Sequence, residues 1–503
     1  MKLSSWRRPT TGALALLVVT LALVVGLFAG TAPARSNADD VRVVLAAQVN
    51  LDPIVGSRGG QWVWGTFLDP LIKPAFGGAL TKNGIITDWR RTNARTWRFT
   101  VRKGVKFTNG EPGDAYAVAN SIMLNKFTTG AILSTYFQNV ISARAINPTT
   151  VVLRTKLPQF NIANQLTTVF LMPPKYYKQV GTRGFNSAPI GTGPFQVKSL
   201  QPGRSISVVP NAGYWGAKAK PSSVTFTYAP DPSQRLALVQ SGAADIGVDL
   251  GPSQADLAAA AKLKVLRIGT TLKLVLFQFT KGAPLNNINN RKAIALAIDR
   301  NKITTGIFRG KARPDGGLLN VIPGTKPATQ VNANPAEARK LVQGSPTVTL
   351  NYPTDRYPLM PEVAQAIGQM LEDVGFKVKL DPTSYISGVV KVLGGTMSGL
   401  WLTGAVPNVP DSNFLAQGFL TSTSITKNCI DKRFDVLTAK ALTLKDEKAA
   451  KPVYEAMNTL AVSRLACFVP LYGAITNVAM RNNVNGFVFS PLNTMYWDKV
   501  TVS

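Results

Sequence analysis

The chain has no histidine among its 503 residues. That absence excludes Ser-His-Asp and Cys-His catalysis, histidine-ligated zinc and a histidine pH switch. Cysteine is almost as scarce. Cys429 and Cys467 are the only two, too few for a four-cysteine metal site. No cofactor or metal is expected. Acidic residues are also few, 26 Asp+Glu against 56 Lys+Arg, a net charge of +30. Such an excess favours anionic surfaces, acidic ligands or nucleic acid. The basic residues are scattered, with no Lys/Arg block and no nucleic-acid motif, so a basic exterior and no nucleic-acid partner are expected. With 45% hydrophobic and 16% charged residues, the chain reads as globular. Its length suits two or three domains rather than one core.

The N-terminus carries the one long apolar run. Lys2, Arg7 and Arg8 precede an uncharged stretch from Pro9 to Ala34, with its apolar heart at Ala13 to Gly30. Small residues follow at Ala32-Pro33-Ala34 and again at Ser36-Asn37-Ala38. The order basic, apolar, small reads as a secretory signal peptide over residues 1–38. The run is long enough to span a bilayer, so an uncleaved membrane anchor through residues 13–30 is the alternative. Cleavage after Ala38 removes Lys2, Arg7, Arg8 and Arg35 and leaves 52 basic against 26 acidic residues, or +26.

Further on, periodicity predicts the elements. Trp97, Phe99 and Val101 alternate with Arg98, Thr100 and Arg102, a half-buried strand. Lys103-Gly104 interrupts it, Val105 and Phe107 resume it, and Asn109-Gly110 is a turn pair. Val41 to Leu45 and Leu272 to Phe279 read as apolar strands, the second as the crossing into the last large domain. Asp114 to Phe127 reads as a helix. Ile294, Ala297, Ile298 and Ile303 form a core stripe on one predicted helix from Asn290 to Ile303. Asn334-Pro335-Ala336-Glu337 is an N-cap signature before a helix over Ala336 to Val342. Pro361 to Val374 reads as a helix ended by Gly375, before a strand through Phe376, Val378 and Leu380. Gly191-Thr192-Gly193 lacks the lysine and hydroxyl residue of a phosphate loop and reads as a tight crossing. Ser424 to Lys427 fits the S-x-x-K of serine acyl-enzymes, but the companion K-T-G triplet is missing, and the chain is not expected to be an enzyme. Outside the cell, Cys429 and Cys467 suggest a disulfide, with two buried thiols as the alternative.

The run Trp97 to Glu111, WRFTVRKGVKFTNGE, closely resembles a segment of the family 5 extracytoplasmic solute-binding proteins, the dipeptide- and oligopeptide-binding components of ABC importers. Other segments resemble that family in the same order. Leu51-Asp52-Pro53 and Phe67-Leu68-Asp69-Pro70-Leu71 come first. Pro189 to Phe195 resembles the family's "piGTGPy", Asn211 to Trp215 its "NpdYW", and Asn290 to Ile303 its "vRqAlalAiDRe.i". The resemblance implies an α/β, two-lobed periplasmic-binding-protein-like fold (type II, cluster C) with an additional inserted domain. Lobe I would comprise 39–80, 188–269 and 481–503, the inserted domain 81–187, and lobe II 270–480. It implies a monomer that captures a peptide or peptide-like solute and delivers it to ABC permease and ATPase subunits. A non-peptide solute such as an oligosaccharide, or a membrane-anchored sensor not coupled to transport, are the alternatives. Many relatives carry a cysteine for lipid attachment at the cleavage site. None stands here, so an exported protein that is not a lipoprotein is expected.

The site residues follow from the same resemblance. The glycine-rich loop carrying Ser57, Arg58, Gly59, Gly60 and Gln61 would face the ligand; an ordinary strand-to-helix connection is the other reading. Leu400 to Leu420 resembles "gW..DypDPdnFl", with Trp401 on the tryptophan and Asp411 to Leu415 on "DPdnFl". Trp401, Leu402, Thr403 and Gly404 would then reach the cleft, Trp401 as a ligand-stacking wall; plain core is its other reading. In peptide binders an aspartate three residues after that tryptophan pairs with the ligand's amino group. Gly404 stands there instead, and the adjoining segment Ala405 to Pro410 has no charge. Either Asp411 supplies the missing carboxylate or the ligand has no ammonium at that end. The other role for Asp411 is a helix N-cap.

Overall fold

The computed structural model describes residues 40–56, 60–319, 331–407, 411–492 and 494–503. Residues 1–38, expected above to be an export signal or a membrane anchor, together with Ser57, Arg58, Gly59 and 408–410, lie outside these residues.

Among the described residues a mixed sheet of eleven strands runs through the molecule. At one end Asp40–Leu45 lies parallel to Ser223–Tyr228 and Ile246–Leu250. Ser205–Pro210 and Phe195–Gln201 extend that end antiparallel. At the other end Thr347–Pro353 lies parallel to Lys377–Thr383 and Leu400–Ala405. Two long antiparallel strands, Lys264–Gln278 and Phe468–Met480, join the ends. Parallel strands are covered on both faces, which is why these segments are rich in Val, Ile and Leu.

The long strands lose register midway. Gly269 pairs with Ile475 and the next pair is Lys273 with Gly473, so residues 270–272 stand opposite Ala474 alone. A bulge of this kind bends the ladder and leaves backbone unpaired. Separate cores lie on its two sides. Val43, Phe195, Phe226 and Trp497 belong to one. Leu276, Ile294, Ile367 and Leu402 fill one face of the sheet's other end, and Phe277, Trp401, Leu415 and Phe468 fill the opposite face. A second sheet of four strands, Ile86–Asn93, Thr96–Val101, Thr150–Thr155 and Val140–Asn147, carries the helix Ala115–Phe127 and has its own core around Phe99, Val118 and Phe137. Asp114 caps that helix by accepting the Tyr116 and Ala117 amides.

Two expectations need correction. The strand predicted from Leu272 begins at Lys264, because residues 264–269 are partly exposed and carry charge, which hides them from an apolar-run reading. The helix predicted from Asn290 to Ile303 spans Ile288–Ala297 and breaks at Ile298, whose backbone is extended. Asp299 causes a new start: its carboxylate accepts the Asn301 and Lys302 amides, the local competition that makes aspartate a cap rather than a helix interior. Ile294, Ala297, Ile298 and Ile303 are still all buried.

The Gly191-Thr192-Gly193 crossing has a steric reason. A Cβ on Gly191 would lie 1.7 Å from the Phe67 carbonyl oxygen, and one on Gly193 2.6 Å from the Phe67 carbonyl carbon. Thr192 between them donates to Asp69 Oδ2 at 3.0 Å, and Trp215 Nε1 donates to the same oxygen at 2.9 Å. Three segments that carry the family resemblance thus meet at one buried carboxyl, which burial pushes up to about 6.

Candidate functional site

The bulge at 270–272 is where distant loops converge. The Thr271 amide donates to Pro491 O at 2.9 Å, and its hydroxyl donates to Pro407 O at 2.8 Å. Gln61 Nε2 donates to Leu492 O at 3.4 Å. The Pro491-Leu492 backbone thus lies between the end of the glycine-rich loop and the bulge, which the segment after Gly404 meets directly. Gly60 lies against an indole: a Cβ there would sit 2.4 Å from the Trp64 ring. Trp64 is itself fixed by donating to Asn50 O at 2.8 Å.

Beside the bulge lies a crevice of about 400 Å³. Leu250 and Pro252 wall it on one side of residue 270, and Leu272, Phe308, Tyr357 and Asn477 on the other. Gly404 adjoins it. Its amide donates to the Tyr357 hydroxyl at 3.1 Å. A Cβ at 404 would lie 2.7 Å from that hydroxyl and 2.5 Å from Leu272 Cδ1. A phenol thus fills the space a side chain at 404 would need.

Charge collects around this phenol. The Arg356 guanidinium lies 5.5 Å from the Tyr357 ring centroid and 5.9 Å from that of Tyr385. The two rings meet edge to face at 6.2 Å. Asp355 accepts the Tyr385 amide at 2.7 Å, which fixes the aromatic residue at its helix start. Burial opposes the charge on Arg356, but Tyr357, Asp249, Tyr385 and Asp355 together outweigh it and hold the guanidinium above its usual range. Asp249 acts from the other lobe. Its strand Ile246–Leu250 puts it in the left-handed region, φ 55°, and Arg235 anchors it by donating to its carbonyl at 2.5 Å. Burial pushes the Asp249 carboxyl up, opposed by Arg356 and Arg235. The result is a half-buried cation with two aromatic faces on one lobe and a carboxylate on the other. Such a set fits a small solute with an anionic group. A larger crevice, about 810 Å³, is lined by Asp69, Lys73, Tyr214 and Tyr496 among others. None of its walls comes from residues 270–480, so it does not lie between the two ends of the large sheet.

Residues 81–427, more than half of the chain, match the family described as bacterial extracellular solute-binding proteins, family 5, middle. The chain belongs to this family. The glutathione-binding protein GsiB of Salmonella paratyphi A is 27% identical over 298 residues, 57% of this chain and 57% of that protein. The sequence match therefore spans little more than half the length of this relative. Solved structures show the fold over nearly the whole chain. NikA from Staphylococcus aureus, in complex with Ni(L-His)2, superposes with TM-score 0.81 at 18% identity, covering 92% of this chain and 100% of that one. Haemophilus influenzae OppA in complex with RPPGFSPFR gives TM-score 0.81 at 20% identity, covering 93% and 99%. The fold is the two-lobed α/β architecture of these binding proteins.

In this family 5 protein the residues expected at the cleft fall into different places. Gly404 adjoins the smaller crevice, and Gln61 lines the larger one. Trp401 is 2% exposed and packs as core, paired with Phe277 and pressed against Gly388, where a Cβ would lie 2.2 Å from its ring. Leu402 is fully buried in the core of the opposite face, and Thr403 is buried beside Val275. The expectation of a ligand-facing Trp401 and Leu402 is thus replaced by packing: alternate residues of a strand covered on both faces enter the two cores. Asp411 is fully buried. It caps the helix Ser412–Phe419 by accepting the Asn413 amide at 2.9 Å, and its other oxygen accepts Asn161 Nδ2 at 2.6 Å from the four-stranded domain. Those partners, and not a ligand ammonium, occupy the carboxyl. Ser424 is buried and accepts the Lys427 backbone amide at 3.3 Å, while Lys427 is exposed. That is a turn contact. Cys429 and Cys467 are joined, with Cα atoms 5.5 Å apart. Arg356, Tyr357, Tyr385 and Asp249 escaped the sequence reading. The available signal was the Asp-Arg-Tyr-Pro loop at 355–358, two charges and an aromatic between a strand and a helix.

Proposed function

We propose that this protein captures a small extracytoplasmic solute, a peptide or peptide-like acid, between two lobes and delivers it to the permease and ATPase subunits of an ABC importer. The observation that carries this reading is the crevice beside the strand bulge, lined by Tyr357 and Leu250, with Arg356 over the Tyr357 and Tyr385 rings and Asp249 next to Leu250. Two lobes hinged at 270–272 suit closure around a ligand. The boundary between 269 and 270 supports lobe I as 39–80, 188–269 and 481–503, lobe II as 270–480, and an inserted domain at 81–187. We assign no catalytic role to the protein, and read it as an exported monomer without a lipid anchor, its residues 1–38 serving as the export signal.

The ligand enters with an acid group toward Arg356. At Gly404 it meets a phenol and no carboxylate, so it carries no ammonium at that end. The second reading, a non-peptide acid, rests on the same glycine, because nothing at 404 demands an amino terminus. Mass spectrometry of small molecules that co-purify with the protein tests both. Peptides or other small acids are expected. Recovery of neutral or purely cationic solutes alone would overturn the reading.

A further inference from the structure

A second group of buried polar side chains lies outside the crevice, where the four-stranded domain meets lobe II. Its members reach it from three elements. Asp411 precedes the helix Ser412–Phe419, Asn161 precedes the short helix Ile162–Gln165, and Glu447 begins the helix Glu447–Thr459. Consecutive amides fix the two carboxyls side by side. The Ser412 amide donates to Glu447 Oε1 at 3.0 Å, and the Asn413 amide donates to Asp411 Oδ1 at 2.9 Å. Asn161 Nδ2 bridges from the other domain to Asp411 Oδ2 at 2.6 Å. Around this bridge the interface is made of amides and rings. Gln159 donates to Asn161 and Gln165, Gln165 donates to Gln417 at 3.4 Å, and Tyr136 stacks on Phe414 with centroids 3.9 Å apart.

The electrostatics are one-sided. Asp446 bears on Glu447, and Tyr454 lies under both carboxyls. Among the described residues no lysine or arginine acts on either carboxyl. Glu447 Oε2 and the Tyr454 hydroxyl are buried without a hydrogen-bond partner among those residues. Two adjacent carboxylates in such surroundings cannot both ionise cheaply, since each is desolvated and each repels the other. We propose that Asp411 and Glu447 hold one proton between them and, as a clasp, make the interface of the four-stranded domain with lobe II pH-sensitive: it stays closed while the pair keeps the proton, and once the proton is lost two desolvated, mutually repelling carboxylates favour its opening more than the Asn161 bond opposes it. Asp411 comes shortly after the strand Leu400–Ala405, which carries Gly404, in sequence.

The direction follows from linkage. Burial, then Glu447, push Asp411 up to about 8, well above its value in an unfolded chain, against the Asn161, Asn413 and Phe414 N–H groups that favour the ionised form. The folded form therefore binds the proton more tightly. The clasp's contribution to stability is complete below the ordinary carboxylate range, declines as pH rises, and levels off above about 8. Hydrogen–deuterium exchange at pH 6 and pH 9, corrected for intrinsic exchange rates, tests this on the purified protein. Protection over 159–168 and 411–420 should fall roughly tenfold or more between the two values, a change of about 1.4 kcal/mol. Protection of the strand Ser205–Pro210, which has no titratable side chain, should stay within about twofold, since no member of the clasp touches it. Asp411→Asn should abolish the fall. Should that variant not fold, Glu447→Gln serves, because removing the repulsion should move the midpoint of the fall to lower pH. Equal protection at both pH values, an unchanged fall in Asp411→Asn, or an unmoved midpoint in Glu447→Gln would each overturn the proposal.

Discussion

Gly404 and Asp411 are close in sequence, yet their surroundings are opposite. Around Gly404 the lobe offers a half-buried guanidinium, two phenols and a crevice open toward the other lobe. Around Asp411 it offers two carboxyls, a sealed interface and no cation among the described residues. The family resemblance places an aspartate at the first position and expects the loop to present charge to a ligand. Here the acid sits at the far end and serves packing, while the ligand end carries a base. On the proposed reading, the end of the strand that carries Gly404 would suit an acid where the resemblance expects an ammonium.

The comparison can be broken most severely at its cationic end. Arg356→Ala should weaken binding of the natural solute by about 2–5 kcal/mol, the scale for removing one partner of a desolvated charge pair. Calorimetry with the co-purified ligand reads this directly, and a variant that binds within about threefold of the parent would remove Arg356 from the site. Next in size is the Cys429–Cys467 link, which belongs to the core beneath Trp401 and not to the crevice. Replacing both cysteines by alanine should cost about 3–4 kcal/mol of stability in the chain-entropy account and lower the thermal midpoint. Affinity measured well below that midpoint should hardly change. A large loss of affinity would tie the link to the crevice after all. The smallest effect belongs to Tyr357→Phe. It removes the acceptor of the Gly404 amide and should cost about 1 kcal/mol in binding, while thermal stability stays nearly constant. An unaltered affinity would make the phenol a bystander.

Much of the fold was legible because it rests on local rules. Trp97, Phe99 and Val101 alternate in sequence and are all buried in the structure. Asp114 and Asn334 each cap the helix their spacing announces. The stripe through Ile294 and Ile303 was read from periodicity, but the break at Ile298 was not, because Asp299 competes as a cap within an otherwise helical pattern. The site was legible only in part. Gly404 stood out because a resemblance marks the residue that is missing. Arg356 did not, since a loop has no periodicity to betray it and its counterpart Asp249 comes from another lobe. Trp401 was misjudged for a related reason. A tryptophan on a strand end reads alike whether it walls a cleft or fills a core, and the neighbour that decides, Gly388, is set by tertiary packing.

The most direct test compares three forms of one peptide ligand by calorimetry: free, N-acetylated, and amidated at the C-terminus. With a base at Arg356 and no carboxylate at Gly404, acetylation should cost less than about tenfold in affinity, or 1.4 kcal/mol, and amidation considerably more. A loss well beyond tenfold on acetylation, with amidation neutral, would contradict the account and restore an amino-terminus anchor at this end of the cleft.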